Sequence, residues 1–107
     1  MFYKKDDLDY KTPMEGVHLK TLAYGKKTHL TEFKLTKGTS VPLHAHPHEQ
    51  TDYLVSGRMR FSIRGEIYDA GTGDGWNIAG NVKHGVEVLE DSLVIEVFAS
   101  IREDYLP

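Results

Sequence analysis

Residues 38–57, GTSVPLHAHPHEQTDYLVSG, place His44, His46, His48 and Gln50 at alternate positions between two glycines. In an extended chain, residues two apart share a face at about 7 Å, close enough for two imidazoles to meet one ion at roughly 2.1 Å per bond. A helix would need ligands three or four apart, and Pro42 and Pro47 argue against one. His44 and His46 are therefore expected on a strand, as two ligands of a metal ion.

Two ligands do not complete a shell, and the next candidate lies far along the chain. His84 occurs in NVKHGVEVLED, in phase with Val86 and Val88, so its ring is expected to point inward. With His84 in place the pattern resembles the cupin superfamily. That family's first motif is a glycine, five residues, HxH, a carboxylate or amide after three or four more, and a closing glycine six residues on. Gly38, His44, His46, Gln50 and Gly57 fit those intervals, with Gln50 where many cupins carry Glu. The second motif is matched by Gly73, Asp74, Ile78, Asn81 and His84, while Ala79 and Lys83 stand where prolines are common.

The bulk properties narrow the alternatives. At 107 residues the chain suits one domain with a single core. Thirteen basic against sixteen acidic residues give a net charge of −3 and no basic face, so nucleic acid is not an expected partner. No apolar run is long enough to span a membrane, and MFYKKDDLDY lacks the apolar centre of a secretion signal, so a cytoplasmic location is expected. The absence of cysteine excludes thiolate ligands, disulfides and a cysteine nucleophile.

Along the chain, residues 1–16 show no clean period and are expected as an N-terminal arm, either loosely ordered or packed on a partner subunit. Residues 17–107 form the single domain. HLKTLAY and THLTEFKL predict a hairpin with Phe33 and Leu35 on the inner face, and RMRFSIR alternates Met59, Phe61 and Ile63 against Arg58, Arg60, Ser62 and Arg64. A turn is expected at Gly57, and the glycines between positions 65 and 80 break that part of the chain into short pieces. SLVIEVFA is apolar on both faces, so its outer set, Leu93, Ile95 and Val97, is expected to lie under the arm or a second subunit; a homodimer is the expected assembly. About nine short strands and no helix beyond a turn predict an all-β fold, and the cupin resemblance makes it a jelly-roll barrel.

These placements lead to the site residues. Three imidazoles and an amide that brings no charge suit one divalent transition metal ion, Zn, Ni, Fe, Cu or Mn, with open positions for water or substrate. His48 and Glu49 come after Pro47, where strand parity is no longer assured. His48 is expected at the surface or behind a ligand, and His29 reads as an ordinary strand-end histidine. Asp52, two residues past Gln50, enters the same cavity with a structural role. Glu96 shares a face with Val94 and Phe98 and is either a proton-transfer group or a structural acid.

HAHPHEQ and EVFASIRED together resemble a narrower set, the KdgF-like group of small single-domain cupins, over roughly residues 28–105. That resemblance implies metal ligation by His44, His46, Gln50 and His84. It also implies conversion of cyclic 4,5-unsaturated uronates to linear keto acids, with Glu96 catalytic where the group carries Asp, Phe98 against the sugar ring and Arg102 on the uronate carboxylate. Arg102 alternatively pairs with Glu103 or Asp104, or meets a second subunit. Two other classes are compatible with the metal motif: another metallo-cupin enzyme of the Fe(II) dioxygenase or isomerase type, and a non-catalytic sensor barrel for a small acid.

Overall fold

A computed structural model describes all of residues 1–107 and contains eight strands and one short 3-10 turn. The strands are β1 (Lys11–Met14), β2 (Val17–Tyr24), β3 (His29–Leu35), β4 (Ser40–His44), β5 (Glu49–Ile63), β6 (Glu66–Gly71), β7 (Gly75–Ile78) and β8 (His84–Ala99). The turn covers Glu103–Tyr105. The fold is all-β, as expected, and no helix is long and apolar enough to cross a membrane.

Every pairing is antiparallel, and β5 and β8 form the spine. The C-terminal part of β8 pairs with β3 and its N-terminal part with β4. On the far side of β5, β7 pairs with its N-terminal part and β6 with its C-terminal part. The two halves of the spine thus belong to two half-sheets that fold over one core. Val17, Leu19, Phe33, Leu35, Leu54, Val94 and Phe98 come from one half, and Met59, Phe61, Ala70 and Val88 from the other. Complete burial of such side chains stabilises by about 1.5–3 kcal/mol each.

The count of about nine short strands and the turn expected at Gly57 both need correction. QTDYLVS and RMRFSIR belong to one fifteen-residue strand, and NVKHGVEVLED and SLVIEVFA run together as one of sixteen. Register slips between Leu54 and Met59 move the inward set of β5 from Gln50, Asp52 and Leu54 to Met59 and Phe61. Gly57 allows the bend: its φ is +119°, and a Cβ there would stand 2.7 Å from the Ser92 backbone on β8.

Residues 1–16 pack on their own chain. β1 extends the sheet beside β2, Tyr3 donates a hydrogen bond to the Tyr24 carbonyl, and Tyr10 donates one to Glu32. The Tyr10 ring also lies 4.8 Å from Lys20 Nζ and 4.9 Å from Lys34 Nζ. The arm therefore covers the outer side of β2 and β3, while Leu93, Ile95 and Val97 on β8 are only half-buried.

Candidate metal centre and its cavity

The ladders line up the polar interior in two rungs. Across β7, β5, β8 and β3, one rung reads Ile78, Gln50, Phe98 and His29, and the next Trp76, Asp52, Glu96 and Thr31. Alternation turns all eight to the inner side, so Gln50, Asp52 and Glu96 meet because of register alone. His44 and His84 are paired across β4 and β8, which brings the third histidine to the pincer. His46 lies just past the end of β4, where the Asn81 N–H donates to its carbonyl at 2.7 Å. Gly80 makes that approach possible, since a Cβ there would stand 2.4 Å from the Pro47 carbonyl oxygen.

Each ligand ring is oriented by a carbonyl two residues away. Nδ1–H donates from His44 to Pro42 at 3.0 Å, from His46 to His48 at 3.0 Å and from His84 to Val82 at 2.8 Å. In the neutral form of each ring this leaves Nε2 as a bare lone pair, the tautomer a metal requires. Ring centroids lie 5.7 Å apart for His44 and His46, 4.3 Å for His44 and His84 and 5.0 Å for His46 and His84. Their ligand atoms fall within 4.8 Å of one another. Burial, with the nearby Arg102 and His84 charges, pushes the proton affinity of His46 down to about 4, and burial lowers that of His84, so both rings are neutral at pH 7.

The donor set fits a divalent ion. With Nδ1–H of His46 engaged, its Nε2 and the Gln50 Oε1 are two lone-pair atoms only 2.9 Å apart. Adjacent ligands on bonds of about 2.1 Å at right angles stand about 3.0 Å apart, so a cation turns this close approach from repulsive to attractive. The trio of histidines that could hold a metal, with Gln50 beside it, is the group expected from the motif. The His48 ring stays outside it, and only the His48 carbonyl serves, by fixing His46.

Behind the ligands the interior is acidic. The Gln50 amide donates to Asp52 Oδ2 at 2.7 Å and to Glu96 Oε1 at 3.4 Å. Burial raises the Asp52 carboxyl to about 7, and burial together with the Asp52 charge raises Glu96 well above the usual carboxylate range. Both acids, His44, His46, Gln50, His84, Phe98 and Arg102 line one cavity of about 180 Å³.

Arg102 closes that cavity with its side chain already engaged. Its Nε and Nη2 donate to Asp104 at 3.0 and 2.8 Å, and its guanidinium lies 3.9 Å from the Tyr105 ring centre and 5.1 Å from that of Phe98. His29 is wholly buried and does not reach the cavity: Thr21 Oγ1 lies 2.8 Å from its Nε2, and the Arg102 backbone N–H donates to its Nδ1 at 3.3 Å. It anchors the segment that carries Arg102. Trp76 and Tyr105 also line the wall, and neither stands out in the sequence. The parity of Trp76 with Ile78 in β7 is the available signal for the first.

The fold and the metal-ready group define a cupin, and residues 31–99 match the cupin domain family, so the chain belongs to that family. Within it the chain is 30% identical over 105 residues to the pectin degradation protein KdgF of Dickeya dadantii, covering 92% of this chain and 96% of that one. The solved structure of KdgF from Halomonas sp. superposes with a TM-score of 0.90 at 29% identity, over 99% of this chain and 98% of the other. An RmlC-like cupin from Shewanella frigidimarina shares the fold, with a TM-score of 0.91 at 24% identity over 98% and 95% of the two chains.

Proposed function

We propose that this cupin is a metal-dependent enzyme that opens cyclic 4,5-unsaturated uronates to linear keto acids, in the manner expected of a KdgF-like pectin-degradation role. The observation that carries the reading is that Glu96, Phe98 and Arg102 share one small cavity with His44, His46, Gln50 and His84. A sensor barrel would need the pocket and the arginine, but has no use for an inward-facing acid beside a metal-ready group.

The reaction is an isomerisation and balances without a co-reactant. The anomeric hydroxyl loses its proton, the bond from C1 to the ring oxygen breaks to leave an aldehyde, and the freed enolate becomes a ketone as C4 takes up a proton. A divalent ion held by His44, His46, Gln50 and His84 would supply positive charge for the substrate oxygens, undiminished because the amide brings none. Glu96 moves the proton, and burial beside Asp52 favours its protonated form over that of an ordinary carboxylate. Phe98 lies against the sugar ring, Arg102 takes the carboxylate through the N–H bonds Asp104 leaves free, and the apolar wall excludes water.

Wild-type protein loaded with metal should consume the ultraviolet band of an unsaturated monouronate. Glu96→Gln should slow that loss about 10²–10⁴-fold with metal content unchanged. Absence of turnover by the wild type on such sugars, or full turnover by the variant, rules the assignment out. The same proposal places the enzyme in the cytoplasm, on the strength of the KdgF likeness, which fractionation of the source cells would test. It also makes the enzyme a homodimer, supported by the half-buried Leu93, Ile95 and Val97 and the exposed Tyr53 on one outer face.

A further inference from the structure

The Gln50 side chain can face the ligand histidines with either of two atoms, and only the oxygen can bind a cation. Its own strand does not decide between them, because a half-turn about the last side-chain bond exchanges oxygen and nitrogen with almost no change of shape. What differs is the surroundings. On one side are the Nε2 atoms of the histidines, and on the other two carboxyl groups, Asp52 Oδ2 at 2.7 Å and Glu96 Oε1 at 3.4 Å. A carboxyl offers an acceptor oxygen to an N–H and meets another oxygen unfavourably. Asp52 is 3% exposed and placed by the β5 ladder, and at the shorter distance it is the stronger constraint.

We propose that Asp52 is a positioning residue for metal binding: by accepting the Gln50 amide N–H, it turns the amide oxygen toward the histidines and the ion. The assignment rests on Gln50 as a ligand and not on the reaction. Asp52 does not touch the ion in this arrangement. It prevents the half-turn that would point two N–H donors at a cation. Its second oxygen, Oδ1, has no hydrogen-bond partner, and neither has the indole N–H of Trp76 beside it. Gln50 makes the one close hydrogen bond to the Asp52 carboxyl, and the Trp76 indole N–H beside it also favours the charged form.

Affinity for Ni²⁺, measured by calorimetric titration of the metal-stripped protein, tests this without any sugar. Asp52→Asn keeps size and shape but gives Gln50 a partner that both donates and accepts, and should weaken Ni²⁺ binding by about tenfold. Asp52→Ala, which leaves no acceptor, should lose at least as much. The discriminating comparison uses Gln50→Glu, whose side chain has no N–H to be held. There Asp52→Asn should leave affinity nearly unchanged, because the introduced glutamate has no amide N–H for Asp52 to hold and offers an oxygen to the ion in either orientation. A change of less than about twofold from Asp52→Asn in the wild-type background, or the same loss in both backgrounds, overturns the proposal. If the affinities show this pattern while wild type fails to act on unsaturated uronates, the reaction is wrongly assigned and the role of Asp52 stands.

Discussion

Leu54 and Val94 face each other across β5 and β8, and one inward rung further along the same two strands Asp52 faces Glu96. The backbone, the pairing and the direction of the side chains are alike in the two places, yet the consequences are opposed. Leu54 and Val94 are fully buried and gain stability by leaving water. Asp52 and Glu96 lose hydration and set two acids side by side, as their raised proton affinities record. The comparison teaches that the apolar end of the interior holds the barrel shut, so that the polar end can keep an arrangement which is unfavourable by itself.

The apolar end should therefore respond most strongly to truncation. Leu54→Ala removes a fully buried side chain from the central core and should cost about 2–5 kcal/mol, a fall of many degrees in melting temperature for a domain of this size. Metal affinity, measured well below the new midpoint, should be unchanged. A large loss of affinity with little loss of stability would show that the two ends are not separate in function.

The polar end should reveal its cost through pH, in metal-free protein. Well below pH 3.8 Asp52 is protonated whether the chain is folded or not; as pH rises through that value the unfolded chain ionises while the folded one keeps its proton up to about 7. Unfolding thus releases a proton in this window, and the contribution of Asp52 to stability falls as pH rises through it. His46 acts in the opposite direction, stabilising above about 6.5 and losing that contribution as pH falls toward about 4, but it is common to wild type and variant. Asp52→Asn should therefore gain on wild type by on the order of a few kcal/mol between about pH 5 and pH 8, read from denaturant midpoints. Parallel curves for the two proteins would mean that the carboxyl is not strained by burial.

The same contrast explains how far the sequence is legible. His44, His46, Gln50 and His84 can be read because their spacing follows the cupin motifs, although the pairing of β4 with β8 is what brings His84 to the others, and Glu96 because it interrupts an apolar face. The bends cannot. Hydrophobic period reports which way a residue points but not how a ladder slips, so Gly57 reads as a turn where the strand continues through a bulge. β1 escapes notice because KTPM is exposed throughout and has no inward face to mark it. The wall formed by Trp76 and Tyr105, and the anchoring of Arg102 by His29, depend on pairings between distant segments that no local pattern specifies.

The outer side of β8 sharpens the comparison further, with the smallest expected effect on the barrel itself. Ile95 stands opposite Tyr53 and Val97 opposite Leu30, giving an apolar strip that the N-terminal arm leaves open because it lies over β2 and β3. Tyr53 is 49% exposed, so Tyr53→Lys removes no core contact and should shift the stability of the isolated chain by less than about 0.5 kcal/mol. In a homodimer joined through this strip, the same change would bury a charge at the interface. Light scattering should then give twice the 12.1 kDa chain mass for wild type and a single chain mass for the variant at equal concentration. A monomeric wild type, or a variant that stays dimeric, removes the strip as the site of association and leaves the half-exposed Leu93, Ile95 and Val97 as ordinary outer positions of a two-faced strand.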